Sequence, residues 1–417
     1  MILHIDDKIN YFLNTKTPRK DHVMIFLSSL GYFIWVFSFP LFGPVLLHLF
    51  SGMKALVIEQ GRFMQLFLIS MLVSSACTGY LSDRVRKRAA AIWLSSVAAS
   101  LVTLGCMYVA KIGGMLLYSV PLGIVSGVSI PFIGAFFSDR TSPEDRGRII
   151  GLPIGLSFMF AFVYYPGIPY VSHSVGTELM LVSVLCVISL ATVLFRPTEE
   201  SVEKIDRKKE TRPKTRQIVL YAFIVFLFYW VAGILFSIFV PSIRDHLSET
   251  IFYLAWSVPF LVGALVAGYM YDSMGRSFPA IIGLATTGVS LVIFGIYGLN
   301  SSWLFLMLLS VGFSFSIVFS FLVWADLAPS GRRGLFFGCG MGLTCLAMLL
   351  GLVSTGTMFG SVSASYIKSY IMYSAVALFL CIPMLIMAEE LLPKELIEKR
   401  RFQEYLEHAR KRYINPG

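Results

Sequence analysis

Apolar runs of about twenty residues alternate with short polar stretches along the whole chain. That is the length an α-helix needs to cross the hydrocarbon core of a bilayer. Twelve runs fit, near 24–48, 61–82, 89–110, 115–138, 149–170, 177–195, 217–240, 250–271, 279–299, 302–325, 335–358 and 367–388. Pro121, Pro131 and Pro153 fall inside three of them, which membrane helices tolerate where neighbours satisfy the freed backbone groups. The pattern predicts an all-α, polytopic membrane protein divided into a segment 1–22, a six-helix bundle 23–195, a linker 196–216, a second six-helix bundle 217–388 and a tail 389–417.

Composition supports the lipid bilayer as the chain's surroundings. Of 417 residues, 56% are hydrophobic and 14% charged, against roughly 25% charged in soluble domains. Mean hydropathy is +0.75. The net charge of +10 is explained by where the cations sit. With the N-terminus inside, 29 of the 34 Lys and Arg fall on the inner side, and only Lys54, Arg62, Lys111, Arg244 and Lys368 on the outer. Lys and Arg concentrate in cytoplasmic loops, so both termini are expected in the cytoplasm and the protein in the plasma membrane. The start of the chain is polar and mixed in charge, unlike a cleavable signal peptide. Linker 196–216 is expected to be solvated and charged, and the tail an amphipathic helix along the inner membrane surface.

Several function classes are disfavoured. No basic patch interleaved with aromatics is present, so no nucleic-acid partner is expected. Six histidines are scattered and six cysteines lack any CxxC spacing, so no metal site is expected and the cysteines read as buried packing thiols. No Gly-x-x-x-x-Gly-Lys-Ser/Thr loop supports ATP-driven transport, and no acid or histidine cluster inside the spans supports an enzyme. No cofactor is implied.

The chain repeats itself. Gly79 and Asp83 in "GYLSDRVRKR" recur as Gly268 and Asp272 in "GYMYDSMGRS", offset by 189. Asp139, Arg146 and Gly151 recur as Asp326, Arg333 and Gly338, offset by 187. Matching loops lie on the same side of the membrane, so the halves are parallel repeats.

Twelve spans, parallel halves, a long central loop and Gly79-x-x-x-Asp83-Arg84-x-x-Lys87-Arg88 between spans 2 and 3 resemble the major facilitator superfamily of secondary transporters, over about residues 22 to 390. Arg86 departs from the superfamily's second glycine; in the other copy, Ser273 replaces the first arginine, while Gly275 and Arg276 fit. The resemblance implies two pseudo-symmetric bundles that expose a central site alternately to either side. It also implies that Asp83 latches onto the N-terminus of span 11, assisted by an arginine near the end of span 4, for which Arg140 is the candidate. Asp272 would mirror it against span 5. A helix N-terminus carries partial positive charge and unpaired N–H groups, which suits a carboxylate. Gly79 and Gly268 would allow close helix packing. Arg84 and Arg276 belong to the same loops; Arg86, Lys87 and Arg88 read as topology signals. Arg146 and Arg333 have two readings, cytoplasmic anchoring or pairing with Asp139 and Asp326.

Substrate sites of this fold lie near the midplane between the halves. The candidates there are Tyr32 and Trp35 on span 1, Ser126 on span 4, Tyr229 and Trp230 on span 7 and Ser314 on span 10. Packing between helices competes as the reading for each. No charged residue lies near the middle of any span. Intramembrane acids mark ion paths, so a neutral or amphipathic small-molecule substrate is expected, and protons as coupling ion lack an obvious carrier. Glu59 and Arg62 form a possible rim pair at spacing three. In span 5, Gly147, Gly151, Pro153 and Gly155 loosely resemble the Gly- and Pro-rich pattern of antiporters in the superfamily, a resemblance that leans towards export; uptake, or a non-transporting sensor or scaffold, are the alternatives. A monomer is expected.

Overall fold

The structure is a computed structural model that describes residues 17, 19–41, 43–52, 57–85, 87–109, 112–167, 175–186, 214–355 and 364–392. Most of segment 1–22, linker 196–216 and tail 389–417 lies outside these residues.

Every span predicted from the apolar pattern is represented by helix. The first half comprises α1 (Arg19–Ser38), α2 (Pro44–Gly52), α3 (Val57–Ser82), α4 (Arg88–Gly105), α5 (Ile112–Arg140), α6 (Arg146–Gly167) and α7 (Val175–Cys186). The second comprises α8 (Thr215–His246), α9 (Glu249–Ser273), α10 (Ser277–Tyr297), α11 (Ser302–Leu327), α12 (Arg333–Ser354) and α13 (Ala364–Met387). Nine segments among the described residues are long and apolar enough to cross a membrane, one of which, Ser277–Leu327, contains both α10 and α11. Span 1 is the exception to one helix per run, because it breaks into α1 and α2. Pro40 and Pro44 lack the N–H that a continuous helix requires, and the chain turns between them, with Leu41 N donating to Val36 O at 3.0 Å. Span 1 also starts early: Asp21 lies within α1 and is fully buried.

The two halves meet along two long seams, α6 against α9 and α3 against α12. Both start at glycine contacts. A Cβ on Gly79 would lie 2.8 Å from the Gly334 carbonyl oxygen and 2.9 Å from the Gly338 Cα; one on Gly268 would lie 2.6 Å from the Gly147 carbonyl oxygen. Only glycine lets the backbones approach so closely. Higher on the α6–α9 seam aromatics take over, with Phe158 and Phe260 stacked at 3.8 Å.

The cysteines are less uniformly buried than the apolar runs suggested. Cys106, Cys345 and Cys381 are buried, but Cys77 and Cys339 are exposed. An apolar run in a membrane protein has a face that packs on protein and a face that does not, and hydropathy does not distinguish them.

Candidate functional site

Ion pairs and helix caps join the halves where α3, α5, α9 and α11 end and α6 and α12 begin. The N-cap residue of α12, Arg332, makes no side-chain cap. The cap comes from the other half: Asp83 accepts the Gly334 N–H at 2.7 Å and the Leu335 N–H at 2.9 Å. At the start of α6, Asp272 accepts the Gly147 N–H at 2.7 Å and the Arg148 N–H at 2.9 Å. Each carboxylate meets the free donors and partial positive charge of a helix N-terminus.

Arginines complete each cap, and they exchange across the halves. Arg146 reaches Asp326 at 2.5 Å, whereas Arg333 reaches Asp139 at 2.7 Å. Thus each arginine pairs with the aspartate of the opposite repeat. Behind them, Arg276 bonds Asp326 at 2.6 Å and Asp272 at 3.3 Å. Its counterpart Arg88 contacts Asp139 and lies 3.5 Å from Asp83. Guanidinium groups also fill carbonyl acceptors. Ser138 O accepts from both Arg146 and Arg333, and Ala325 O, its equivalent, accepts from Arg146. Burial opposes the charge of Arg276, but Asp326 and Asp272 outweigh it and raise its pKa. The two caps differ in wetness. Asp272 and Arg276 are 0% exposed and Asp326 3%, whereas Asp83 is 12%, Arg88 16% and Asp139 36% exposed.

Two residues grouped with the latch from the sequence lie apart from it. Arg84 is exposed and stacks on Tyr80, its guanidinium carbon 4.3 Å from the ring centroid. Arg140 pairs with buried Asp21 at 3.3 Å, inside the first half. Arg88, read as a topology signal, is the cation that serves Asp83. Arg88 and Arg276 are themselves repeat-related at offset 188, a signal that could have identified it.

Above the latch lies a pocket with about 830 Å³ of empty space, part of it open to solvent. It is lined from α1, α3, α5, α8, α11 and α12, thus from both halves, and no charged residue contributes. Tyr32 and Tyr229 line it. Trp35, Ser126, Trp230 and Ser314 do not. On α1 the pocket face carries Phe33, Val36 and Phe37, and Leu41 follows in the turn after it. Trp35 points oppositely, and its Nε1–H donates to Thr103 Oγ1 of α4 at 2.8 Å. The Ser126 carbonyl accepts the Tyr32 hydroxyl at 3.2 Å. Ser314 Oγ donates to Val311 O within its own helix at 2.7 Å, and Trp230 packs against the core beside the pocket. Helical periodicity placed these residues at the right depth but could not say which face turns to the centre. The wall residue Trp324 was missed; its position one turn from Ser320 gave no distinguishing mark.

At the other end of the molecule, Glu59 and Arg62 form an exposed pair at 3.0 Å. The sequence did not connect His48 with Glu178, yet His48 Nδ1 lies 2.9 Å from Glu178 Oε2, joining α2 to α7. Among the described residues no group of three or more His, Cys, Asp or Glu could hold a metal ion.

Two helical halves, a shared pocket and helix caps and ion pairs between them fit a multi-pass membrane transporter. A family model described as Major Facilitator Superfamily matches residues 22–352, and the chain belongs to that family. Among curated proteins, none matches the sequence. The structure is similar to that of the human organic anion transporter MFSD10 (TETRAN), with a TM-score of 0.68 and 15% identity, covering 88% of this chain and 99% of that one. It is also similar to the proton:xylose symporter XylE bound to 6-bromo-6-deoxy-D-glucose, with a TM-score of 0.69 and 13% identity, covering 89% and 96%. The family makes the protein a transporter of small molecules across a membrane, not an enzyme.

Proposed function

We propose that the protein moves a small neutral or amphipathic organic solute across the plasma membrane by alternating access, as a monomer with both termini in the cytoplasm. The observation that carries this reading is the pocket between the halves, which has no charged lining residue. A charged ligand would enter it without a counter-ion, at a cost of several kcal/mol. The latch supports the mechanism. Its caps and cross-pairs hold the halves together on one side, so that side opens only when the halves separate. The latch residues are those in the cation-rich loops, which the positive-inside pattern assigns to the cytoplasm.

Export is the direction suggested by the glycines of α6, but these have a packing role. Gly147, Gly151 and Gly155 all face α9. Uptake therefore stands beside export, and one assay reads both. Proteoliposomes are loaded with, or bathed in, a mixture of neutral aromatic solutes and charged metabolites, and the contents followed by mass spectrometry. Faster equilibration of neutral solutes than in empty vesicles is expected. Movement of charged metabolites alone would overturn the reading. Repeating the assay with a proton gradient tests coupling; acceleration by the gradient would make His48 and Glu178 the first residues to substitute.

A further inference from the structure

Residues 389–392, which follow α13, dock on the base of the second half. The Glu390 carboxylate collects four backbone N–H groups. Its Oε1 accepts from Arg276 at 2.7 Å, Leu391 at 3.0 Å and Leu392 at 3.3 Å, and its Oε2 accepts from Ser277 at 3.0 Å. Amide donors gathered in this way hold an anion strongly. Two of them open α10, whose N-cap residue Arg276 makes no cap with its own side chain. Gly275 makes the room. Its φ is +92°, a conformation that glycine adopts without strain, and a Cβ there would lie 2.8 Å from Glu390 Oε2. Neighbouring contacts hold the segment in place. Tyr221, fully buried on α8, donates its hydroxyl to Glu389 O at 3.0 Å. The Glu389 carboxylate accepts from Lys214 at 2.7 Å and Gln217 at 3.1 Å, and Leu392 is buried.

The backbone pinned in this way belongs to the arginine of the buried latch. From it the Arg276 side chain reaches Asp326 at 2.6 Å, Asp272 at 3.3 Å and the Pro143 carbonyl at 2.7 Å. Pro143 lies in the loop that leads into α6, and Asp272 caps α6. Arg276 therefore grips the start of α6 at two points. Hydrogen bonds weaken steeply with misalignment, so both grips depend on where the Arg276 backbone is held. We propose that Glu390 is a positioning residue for the latch: by fixing the backbone of Arg276 it sets the Asp272 cap on α6, and the start of the tail thereby controls how readily the α6–α9 seam opens. Coupling between two sites is reciprocal. Lifting residues 389–392 loosens the cap, and breaking the cap loosens residues 389–392. This rests on the latch opening during transport, as proposed above.

Hydrogen exchange of the full-length protein in lipid nanodiscs is the test, with Glu390→Gln, which keeps the volume but sets an amide nitrogen against N–H donors. In E390Q the Gly147 and Arg148 amides, in the other half, are expected to exchange roughly fivefold faster or more, the lower end of ordinary coupling between sites. Gly334 and Leu335 should keep their wild-type rates. Glu389→Gln is the control. Its pair with Lys214 is exposed, and exposed pairs contribute little, so E389Q should match wild type throughout. A change in E390Q confined to Arg276 and Ser277, an equal rise at all four latch amides, or the same rise in E389Q would overturn the proposal. Should E390Q fail to fold, the coupling is read in reverse. Asp272→Asn is then expected to speed exchange at Leu391 and Leu392, whose acceptor is Glu390, and Asp83→Asn to leave them unchanged; wild-type rates at both amides in D272N refute the coupling. The latch itself fails on a different readout, if D272N leaves Gly147 and Arg148 as protected as in wild type.

Discussion

Asp83→Asn and Asp272→Asn each remove a charge from the latch with almost no change in volume. In the wild type each carboxylate accepts two backbone N–H groups of the opposite half, at 2.7 and 2.9 Å. An asparagine keeps one of these bonds through Oδ1, but its amide nitrogen then meets the second N–H, donor against donor. A hydrogen bond to a charged group contributes roughly 1.5–3 kcal/mol, and attraction to the helix N-terminus up to about 2 kcal/mol in partly buried geometry. Relief of carboxylate desolvation offsets part of the loss. A net weakening of about 2–3 kcal/mol follows for each substitution, a roughly 30- to 150-fold shift towards the unlatched state. The arginines are not orphaned, because Arg88 keeps Asp139 and Arg276 keeps Asp326.

Cys345 gives the readout. It lines the pocket and is buried, so a variant with Cys345 as its sole thiol should react slowly with a membrane-impermeant methanethiosulfonate applied from the latch side of oriented vesicles. D83N and D272N are expected to speed that reaction by one to two orders of magnitude, and the double variant further. Asp21→Asn is the control, since Asp21 pairs with Arg140 within one half; its rate should match wild type. Unchanged rates in both single variants, or an equal rise in D21N, would refute the latch.

Asp326 holds two cations, bonded to Arg146 and Arg276 with all three nearly or fully buried. Removing one partner of a buried pair costs roughly 3–5 kcal/mol, so Asp326→Asn should lower stability by about that amount in denaturation; a loss below about 1 kcal/mol sinks the claim that this acid holds both cations. The His48–Glu178 contact should show as coupling. Glu178→Gln is expected to cost about 1–2 kcal/mol in wild type and almost nothing in a His48→Gln background, and additive losses would mean that the pair contributes nothing.

The fold was almost entirely legible in the sequence, because bilayer thickness sets span length and the loop cations alternate in step with it. The repeat carried the reading further. Asp83 and Asp272 recur at one offset, and each caps the helix expected from the family resemblance. What the repeat did not show is which arginine serves which acid. Arg84 and Arg140 directly follow Asp83 and Asp139 in the chain, yet the cations that pair with the four loop aspartates are Arg88, Arg276, Arg146 and Arg333. Chain proximity is a poor guide where a helix end aims neighbouring side chains in different directions. The pocket was legible in its lack of charge but less so in its lining. Tyr32 and Trp35 are one helical turn apart, and only the first faces the cavity. The break at Pro40 and Pro44 was written in the residues, but hydropathy averages across it.

Although the two caps are related by the repeat, their surroundings predict an order of opening. The bonds to be broken are equivalent in kind, two N–H groups to a carboxylate with arginines behind it. Their competitor is water. At Asp83 solvent already reaches the carboxylate, Arg88 and Asp139; at Asp272 it reaches neither the carboxylate nor Arg276. Exposed pairs are screened and lose little when hydrated, whereas the buried cluster must be broken before water can replace its bonds. The α3–α12 seam should therefore part first and the α6–α9 seam serve as the pivot. Hydrogen exchange reads this directly, because the amides of Gly334, Leu335, Gly147 and Arg148 are the donors of the latch. Gly334 and Leu335 should exchange faster than Gly147 and Arg148, and D83N should accelerate the first pair while leaving the second protected. Equal protection at both sites would mean that the halves separate as rigid bodies in one step. Faster exchange at Gly147 and Arg148 would place the pivot on the other seam and refute the argument from hydration.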